Sequence, residues 1–325
     1  MTNKTTLITG ATGCVGQYIT NYLLKESNYK LFLLVRDASK LNNKLFNNPR
    51  VKILTSDLRE CNKHAEDIAK VNFLIHTATA WGDPKRAYEV NVFAVEKLLD
   101  LLNPDCIEKV LYFSTASILD ENLELISETS IYGTEYIQTK AICFKQISNH
   151  NLSKRIIAIF PTLVLGGTLD KNNNLPISYL TSGLLEALRW LWIARFFSLD
   201  SKFHFIHAED ISKVCFHLLE HEQQESKPNQ IKKHVLGQDL ITIDEAINTL
   251  LKWTNSKRFF SIPLSNWLIQ ILIKILPIEI TPWDSYSIKK RHFNHNEISN
   301  PETFGIKSYA KDFNEILKVS KLPKK

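Results

Sequence analysis

Short apolar segments alternate with amphipathic ones along the first half of the chain. The apolar segments are rich in Val, Ile, Leu and Phe and predict β-strands at 5–10, 30–35, 51–55, 72–78, 109–115 and 155–161. Several are apolar throughout, which is typical of strands covered on both faces of a sheet. The segments between them have the apolar spacing of helices, so the alternation predicts an α/β fold with a doubly wound parallel sheet.

The first strand-to-helix junction has the sequence TGATGCVG, with a glycine at every third position. Glycine permits a tight turn, lets backbone N–H groups approach a pyrophosphate, and allows the helix to pack closely on the strand. The junction therefore predicts a dinucleotide site. Its expected lining residues are Gly10, Thr12, Gly13, Cys14, Val15 and Gly16.

The ends of the second and third predicted strands indicate the adenosine side of this site. The second strand is followed by Arg36 and Asp37. An arginine there would pair with the extra phosphate of NADP(H), whereas an acid would bind the ribose hydroxyls of NAD(H). Arg36 favours NADP(H), and Asp37 keeps NAD(H) as the alternative. Asp57 and Leu58 are expected beside the adenine, although Asp57 also suits a helix cap.

Small residues follow the fourth predicted strand, as needed where backbone lies against a cofactor. Thr77, Ala78 and Thr79 are therefore expected to line the site. His76, one position earlier, is interpreted as a hydrogen-bonded histidine at a strand end and not as a general base.

The pattern Tyr-x-x-x-Lys occurs at Tyr136/Lys140 and again at Tyr286/Lys290. On a helix, this spacing places the phenol and the ammonium on the same face. Spacing cannot separate the two copies, but their order in the chain can. The first follows a glycine loop and a strand that ends in a hydroxyl residue, Thr115. The second follows neither and is interpreted as coincidence or as a surface helix turn.

The motifs TGATGCVG, LVRD, SDL, HTATA, EVNVFAVEKLL, YFSTASIL, YIQTK and FHFIHAEDIS occur in this order. Together they resemble the extended short-chain dehydrogenases/reductases, also called the NAD-dependent epimerase/dehydratase group. The resemblance covers nearly the whole chain and implies a Rossmann-type dinucleotide domain. It implies that Thr115, Tyr136 and Lys140 are catalytic, with Ser117 as the reserve hydroxyl. Lys140 is expected to bind the nicotinamide ribose.

Further cofactor contacts are expected from Asn91 and Pro161. Two departures from the family pattern weaken any assignment to a subgroup. Phe160-Pro161 replaces the Arg-Pro that many members have after the sixth strand, and Asp120 stands where glycine is common.

The catalytic chemistry depends on the pKa of Tyr136. A free phenol has a pKa of about 10 and is a poor base at neutral pH. Lys140 and the positive nicotinamide are expected to lower it, and a shift of ~3 units corresponds to ~4 kcal/mol. Thr115 would hold the substrate oxygen while Tyr136 exchanges a proton with it. Thr134 is the expected N-cap of the helix.

The pattern becomes irregular after residue 161, which predicts a second unit. Residues 1–161 are expected to form the dinucleotide-binding domain, with the sheet completed by 203–252. Residues 162–202 and 253–325 are expected to form a smaller, mostly helical C-terminal substrate-binding cap. Aromatic residues of the cap predict a rather apolar substrate: Trp190, Trp192, Phe196, Phe197 and Trp267. Substrate contacts are expected from Trp81, Ser117, Tyr132 and Trp190.

Composition excludes several other classes of protein. The net charge of +6 comes from scattered basic residues and does not indicate nucleic-acid binding. The five cysteines are far apart and include no CxxC pair, which argues against a disulfide framework or a zinc site and fits a reducing cytosol. His204 and His207 lie near Glu209 and Asp210, but their spacing on a strand points them to opposite faces. No metal is expected.

No signal peptide or transmembrane segment is expected, and a cytoplasmic location is predicted. The apolar stretches 184–197 and 267–278 are short and carry charges. They are interpreted as core or pocket-lining helices, with peripheral membrane contact as the alternative. The resemblance also implies a homodimer.

These features predict an NAD(P)-dependent oxidoreductase that interconverts an alcohol with a ketone or aldehyde on an apolar small molecule. A second interpretation is a sugar-nucleotide epimerase or dehydratase that retains NAD tightly. The missing arginine after the sixth strand weighs against it, as does the lack of an Asp-Glu pair after Thr115. A third is a non-catalytic NADP-binding regulatory protein, which would have no need for Tyr136.

Overall fold

A parallel sheet forms the centre of the molecule. The computed structural model describes residues 4–169, 175–223, 231–265, 267–269, 271, 280–320 and 322. The strands are β1 (Thr5–Thr9), β2 (Lys30–Val35), β3 (Val51–Thr55), β4 (Phe73–His76), β5 (Lys109–Phe113), β6 (Ile156–Pro161), β7 (Leu163–Leu165), β8 (Phe197–Ser198), β9 (Lys202–Phe203), β10 (Phe205–His207), β11 (Lys232–Leu236), β12 (Ile241–Thr242), β13 (Ile262–Pro263) and β14 (His292–Phe293).

The helices alternate with the strands from β1 to β6, as the sequence predicts. They are α1 (Cys14–Glu26), α2 (Asn43–Phe46), α3 (Ala65–Ile68), α4 (Pro84–Tyr88), α5 (Ala94–Asp100), α6 (Thr129–Tyr132), α7 (Glu135–Ser148), α8 (Tyr179–Ala194), α9 (Ala208–His221), α10 (Ile243–Trp253), α11 (Pro282–Lys290) and α12 (Phe313–Val319). A π-helical turn, Glu89–Phe93, joins α4 to α5. Short 3₁₀ turns occur at Ala38–Lys40, Leu58–His64, Ala116–Ile118, Ser153–Arg155 and Pro301–Phe304.

The central sheet has the strand order β11-β6-β5-β4-β1-β2-β3 in the described part of the chain. Every neighbouring pair of strands is parallel. The order reverses beside β1, whose neighbours are β2 and β4. The α/β class and the doubly wound parallel sheet are therefore confirmed.

Helices cover both faces of the sheet. On one face α1 and α9 pack side by side and bury residues such as Ile19 and Val214 against the strands. On the other face α5 and α7 bury residues such as Leu98 and Phe144. Because both faces are covered, β4 and β6 are buried along their whole length, which explains their unbroken apolar sequences.

The elements after β6 form a smaller cluster around Leu191, Leu250 and Phe313, contributed by α8, α10 and α12. Small sheets connect it to the rest of the fold: β7 pairs with β10, β8 with β13, and β9 lies between β12 and β14. The division into a dinucleotide domain and a cap stays a prediction. The predicted helix at 267–278 falls largely outside the described residues, and among these no helix is long and apolar enough to cross a membrane.

Candidate active site

A groove of about 1110 Å³ opens beyond the carboxyl ends of the central strands, where the strand order reverses. Ligands of open α/β sheets bind at this position. All but one of the residues predicted to bind the cofactor line it: Gly10, Thr12, Gly13, Cys14, Val15, Gly16, Arg36, Asp57, Leu58, Thr77, Ala78, Thr79, Tyr136, Lys140 and Pro161. Thr115, Ser117 and Trp81 line it as well.

The glycine loop forms one wall of the groove, and its geometry requires glycine. Gly10 has φ of +75°, and a Cβ there would lie 2.6 Å from Thr77 Oγ1. A Cβ on Gly16 would lie 2.2 Å from the carbonyl oxygen of Gly10. Gly13 is the N-cap of α1, and no side chain caps that helix end. Its first backbone N–H groups, with the positive end of the helix dipole, are therefore left for an anion.

Two cations line the expected adenosine end of the groove, Arg36 after β2 and Lys40 in the turn that follows. Asp37 lines it too, but its carboxylate accepts hydrogen bonds from the backbone N–H and the hydroxyl of Ser39, 3.0 and 2.6 Å away. The carboxylate of Asp57 accepts the backbone N–H of Arg59, whose guanidinium pairs with it at 2.9 Å. Asp57 is thus a cap as well as a groove residue.

Asn91 does not line the groove, and its predicted contact with the cofactor stays a prediction. Its side chain is buried in the π-helical turn and accepts the backbone N–H of Ala80 at 2.8 Å. It donates to the carbonyl of Ala80 at 2.8 Å and to the Thr139 hydroxyl at 3.0 Å. Asn91 therefore ties the segment after β4 to α7 from behind the groove.

The three predicted catalytic residues meet at the floor of the groove. Thr115 follows β5 after Ser114, and its hydroxyl lies close enough to the Tyr136 phenol to favour the phenolate. Tyr136 lies in the first turn of α7, which is capped by the Thr134 hydroxyl accepting the Ile137 N–H at 3.4 Å. Lys140, one turn on, donates to the carbonyl of Phe113 at 2.8 Å. Its Nζ lies 5.9 Å from the centroid of the Tyr136 ring.

Burial sets the pKa of both members of this Tyr–Lys pair. Burial raises the pKa of Tyr136 to about 12, although the neighbouring Thr115 hydroxyl opposes the rise. Burial also lowers the pKa of Lys140 to about 8. The predicted lowering of the Tyr136 pKa depends on the positive nicotinamide and stays a prediction, since burial alone disfavours the phenolate.

The four predicted substrate residues separate into two pairs. Ser117 accepts a hydrogen bond from the Thr115 hydroxyl at 3.3 Å, and the Trp81 ring meets the Tyr136 ring edge-on, with centroids 6.4 Å apart. Tyr132 and Trp190, by contrast, are not groove-lining residues. The Trp190 side chain is 57% exposed on α8, and Tyr132 stacks on Tyr286. Their contacts with a substrate stay predictions.

Helix α11, which carries the second Tyr–Lys copy, is not a free surface turn. It contributes Trp283 and Ser287 to the groove, and Trp283 is buried. Tyr286 and Lys290 are half-buried beside the groove without lining it. The interpretation as coincidence stays a prediction, but the description as a surface turn was wrong.

The groove also has lining residues that the sequence analysis missed. They come from distant segments: Lys40, Arg86, Thr162, Tyr179, Leu180, Phe203, His204, Trp283, Ser287, Phe293 and His295. The one local signal among them is the two-residue spacing of Phe293 and His295, which places both side chains on the same face of an extended segment.

The histidines near the groove have separate environments. His76 Nδ1 bonds to the Thr9 hydroxyl at 2.8 Å, and burial lowers its pKa to about 3. His204 lines the groove, whereas His207 caps α9 and bonds to the carbonyl of Gly167 at 2.9 Å. No cluster of potential metal ligands occurs among the residues that the structure describes.

These features suit a nicotinamide dinucleotide. The glycine loop is a cradle that a Cβ would fill, α1 presents uncapped N–H groups, and the groove runs from Arg36 to Tyr136. The loop and α1 would hold the pyrophosphate, residues after β2 and β3 would hold the adenosine, and Tyr136 and Lys140 would lie at the nicotinamide end.

Comparisons with known proteins give the same family. The sequence pattern of the NAD dependent epimerase/dehydratase family matches residues 6–232, more than two thirds of the chain. A curated relative from Rickettsia bellii, described as a UDP-glucose 4-epimerase, is 28% identical over 125 residues. That match covers 35% of this chain and 37% of the relative, so the chain spans little more than a third of its length.

Two solved structures share the fold over nearly their full length. The UDP-N-acetylglucosamine 4-epimerase from Methanobrevibacter ruminantium M1, in complex with UDP-N-acetylmuramic acid, has a TM-score of 0.65 and 17% identity and covers 99% of this chain and 98% of its own. The UDP-glucose 4-epimerase of Thermus thermophilus, in complex with NAD, has a TM-score of 0.61, 14% identity and 97% coverage of both chains. At these identities the likeness is one of fold.

Proposed function

The chain belongs to the NAD-dependent epimerase/dehydratase family, and from this premise we propose that it acts on a sugar nucleotide as an NAD-dependent epimerase. The observation that carries the chemistry is the contact between the Thr115 and Tyr136 hydroxyls above Lys140, inside a groove that begins at the glycine loop. The Rickettsia relative, described as a UDP-glucose 4-epimerase, supports the choice of substrate.

The proposed roles follow from the geometry. A nicotinamide cofactor, when bound, supplies hydride transfer to and from a carbon atom. Thr115 binds the oxygen on that carbon, and Tyr136 exchanges a proton with the same oxygen. At neutral pH Tyr136 keeps its proton, because burial raises its pKa to about 12. It is therefore ready to act as the acid, and needs added positive charge nearby to act as the base.

Lys140 supplies part of that charge and fixes the position of the phenol. The hydrogen bond to the Phe113 carbonyl holds the ammonium at the end of β5, one helical turn from Tyr136. A pKa of about 8 leaves most of the group protonated at neutral pH. Trp81 meets the Tyr136 ring edge-on at the mouth of this site.

The test is the interconversion of UDP-glucose and UDP-galactose by the protein with added NAD. We expect turnover in the wild type and a loss of ~10²–10⁴-fold in Tyr136→Phe. NAD binding, followed by protein fluorescence, should survive the substitution and so shows that the variant is folded. Undiminished turnover in Tyr136→Phe would rule out the proposed acid/base role.

A second candidate function is the reduction of an apolar ketone or aldehyde with NADP(H). The observation that favours it is the lining of the groove away from the glycine loop, which includes Trp81, Phe203, Trp283 and Phe293. The cations among the described lining residues are Arg36, Lys40, Arg86 and Lys140. Apart from the adenosine end and the catalytic set, only Arg86 is left to meet a nucleotide diphosphate.

The two candidates differ in cofactor as well as substrate. Arg36 and Lys40 together suit the 2′-phosphate of NADP(H), whereas the epimerase would use NAD. Titration with NADH and NADPH, in parallel with assays of UDP-glucose and of aromatic ketones, separates them. Arg36→Ala should weaken NADPH binding ~10-fold or more and leave NADH binding almost unchanged. Tighter binding of NADH than NADPH by the wild type would exclude the second candidate's cofactor.

A further inference from the structure

Two histidines, His204 and His295, lie side by side in the wall of the groove. His204 comes from the turn between β9 and β10, and His295 from the segment after β14. Their rings are nearly parallel, with centroids 6.2 Å apart. Both are more than nine-tenths buried, with 5% and 8% of their surface exposed. Phe203 and Phe293 line the same part of the groove.

The hydrogen bonds of His204 fix its tautomer. Nδ1 lies 2.8 Å from the carbonyl oxygen of Gln238. A carbonyl oxygen only accepts, so Nδ1 carries the proton. Nε2 accepts the backbone N–H of His295 at 3.3 Å, as the bare nitrogen of the same neutral ring. Both nitrogens of His204 are thus in use.

The hydrogen bonds of His295 leave one nitrogen open. Its Nδ1 lies 3.0 Å from the carbonyl oxygen of Asp120 and therefore carries the proton. Nε2 is then a bare acceptor. No described residue donates a hydrogen bond to it, and it is not one of the fully buried atoms that lack a partner, so solvent reaches it. In a ring that is 8% exposed and lines the groove, this acceptor faces the groove.

We propose that His295 Nε2 accepts a hydrogen bond from a hydroxyl group of the substrate, and that His204 and His295 form a subsite for an uncharged, hydroxyl-bearing part of the ligand. The inference rests on the proposed function only in treating the groove as the substrate site. An ionised phosphate or carboxylate oxygen has no proton to donate, so its lone pair would face the lone pair of His295 Nε2 and the two would repel. A hydroxyl satisfies the acceptor, which is otherwise left without a partner when the ligand displaces water.

The electrostatics of this part of the groove agree with an uncharged ligand. Burial lowers the pKa of His295 and of His204, which keeps both rings neutral at pH 7. The nearest cation on the adjoining helix is Lys290, whose Nζ lies 5.2 Å from the centroid of the Phe293 ring. Lys290 is not a groove-lining residue, so it does not offer a direct partner for an anion.

The hydrogen bond to Asp120 also fixes the distance between this subsite and the catalytic set. Asp120 follows Thr115 by five residues, through the 3₁₀ turn Ala116–Ile118. The carbonyl that sets the tautomer of His295 therefore belongs to the segment that carries the catalytic hydroxyl. A ligand hydroxyl on His295 would define which carbon of the substrate lies over Thr115 and Tyr136, which makes His295 a specificity-determining residue.

The first experiment does not depend on turnover. It records the imidazole ¹⁵N resonances of the NADH-loaded wild type at pH 7, with His295→Gln to assign His295. We expect both histidines to be neutral with the proton on Nδ1. Benzyl alcohol should shift the Nε2 resonance of His295, and benzyl phosphate should not. A proton on Nε2, a protonated His295, or a shift by benzyl phosphate at the same concentrations would overturn the proposal.

The second experiment uses UDP-glucose and UDP-sugars that each lack one hydroxyl. In the wild type one of these deoxy substrates should lose ~10-fold or more in kcat/KM, mainly through KM. His295→Phe keeps an aromatic ring but lacks the acceptor nitrogen, so its kcat/KM should be the same for that substrate and for UDP-glucose. His295→Gln, which keeps an acceptor oxygen, should recover part of the difference. Equal discrimination by the wild type and His295→Phe would contradict the subsite.

The two experiments separate failure of the subsite from failure of the proposed function. If the wild type does not turn over UDP-glucose but the ¹⁵N shifts appear as expected, the epimerase proposal fails and the subsite stands. If turnover occurs without the expected shifts or discrimination, the subsite fails and the epimerase stands. NAD affinity should be the same in the wild type and both His295 variants, which shows that the fold is intact.

Discussion

Helices α7 and α11 carry the same Tyr-x-x-x-Lys pattern and begin in the same way, yet their tyrosines meet different neighbours. Each helix is capped by a threonine, Thr134 or Thr281. In α7 the phenol of Tyr136 meets a hydroxyl at the end of a sheet strand. In α11 the ring of Tyr286 stacks on Tyr132, with centroids 6.0 Å apart and planes at 17°.

The two lysines also differ in their burial and in the groups that they contact. Lys140 is 2% exposed and bonds to a backbone carbonyl. Lys290 is half-buried with its Nζ over the Phe293 ring, and burial lowers its pKa while three acidic residues oppose the change. Burial of a lysine one turn from a tyrosine is thus common to both helices. What distinguishes α7 is a strand end bearing a hydroxyl, placed against the phenol by the parallel sheet.

The largest difference should come from removing the two phenol oxygens. Tyr136→Phe should lower kcat by ~10²–10⁴-fold, because it removes the proposed general acid/base and leaves the rest of the groove floor in place. Tyr286→Phe should change kcat by less than about twofold, since its ring packs beside the groove without reaching the reacting atoms. Steady-state kinetics with whichever substrate is turned over measures both. A similar loss of kcat in the two variants would contradict the proposed difference between α7 and α11.

The second contrast is in the pH dependence of stability. Burial lowers the pKa of Lys140 in the folded protein to about 8, whereas an unfolded lysine titrates near ~10.4. Below the folded-state pKa, Lys140 is charged in both the folded and the unfolded protein, and burying that charge lowers the free energy of unfolding by its full amount. Above the unfolded-state pKa, Lys140 is neutral in both states, and this loss of stability disappears. Relative to Lys140→Met, the wild type should therefore gain up to about 3 kcal/mol in free energy of unfolding between pH 8 and ~10.4.

Urea unfolding at a series of pH values measures this gain. Lys290→Met is the matched control. Because its pKa is lowered while nearby acids oppose the change, the gain for Lys290 should have the same sign and a smaller size. A difference between the wild type and Lys140→Met that does not vary with pH would show that the ammonium is not desolvated.

The third contrast compares the helix caps. Thr134→Ala and Thr281→Ala each remove a hydroxyl that accepts a first-turn N–H, and each should cost about 1 kcal/mol in free energy of unfolding. Only Thr134→Ala should also reduce kcat, by roughly tenfold, because Tyr136 lies in the turn that Thr134 orders. Chemical denaturation and kinetics on the same samples check both. A fall in kcat in Thr281→Ala would link α11 to catalysis.

The smallest expected effect concerns the stacked rings of Tyr132 and Tyr286. A double-mutant cycle with alanine at both positions should give a coupling of about 0.5 kcal/mol, because Tyr132 is partly exposed and part of the pair remains in water. Equilibrium unfolding measures it. Coupling near zero would mean that the contact contributes nothing to joining α6 and α11.

Much of the fold follows from local sequence. The strands β2 and β3 have the bounds that the short apolar segments between loop residues predict. The glycine loop is equally local, since backbone conformation and close packing at Gly10 and Gly16 exclude any side chain. The cap at Thr134 and the placement of Tyr136 and Lys140 at the groove follow from the order of motifs.

Other parts of the site were not predictable in this way. Asn91, predicted to touch the cofactor, lies in a π-helical turn and bonds to the backbone of Ala80, a contact that its sequence did not indicate. Tyr132 and Trp190 are not among the residues that line the groove. His204 and His295, 91 residues apart, escaped prediction because nothing local to either one indicates the other.

The sequence by itself determined the strands β1–β6 apart from their exact ends, the parallel sheet, the family and the residues that meet at the groove floor. These depend on contacts between neighbours in the chain, on the connection rules of a doubly wound sheet or on the order of the motifs. Only the tertiary structure decided the pKa of Tyr136, the role of Asn91, and the tautomers of His204 and His295. Those depend on burial and on carbonyls supplied from elsewhere, as with His295 and Asp120, 175 residues apart. Desolvation and hydrogen-bond direction are properties of the packed molecule, and no local pattern contains them.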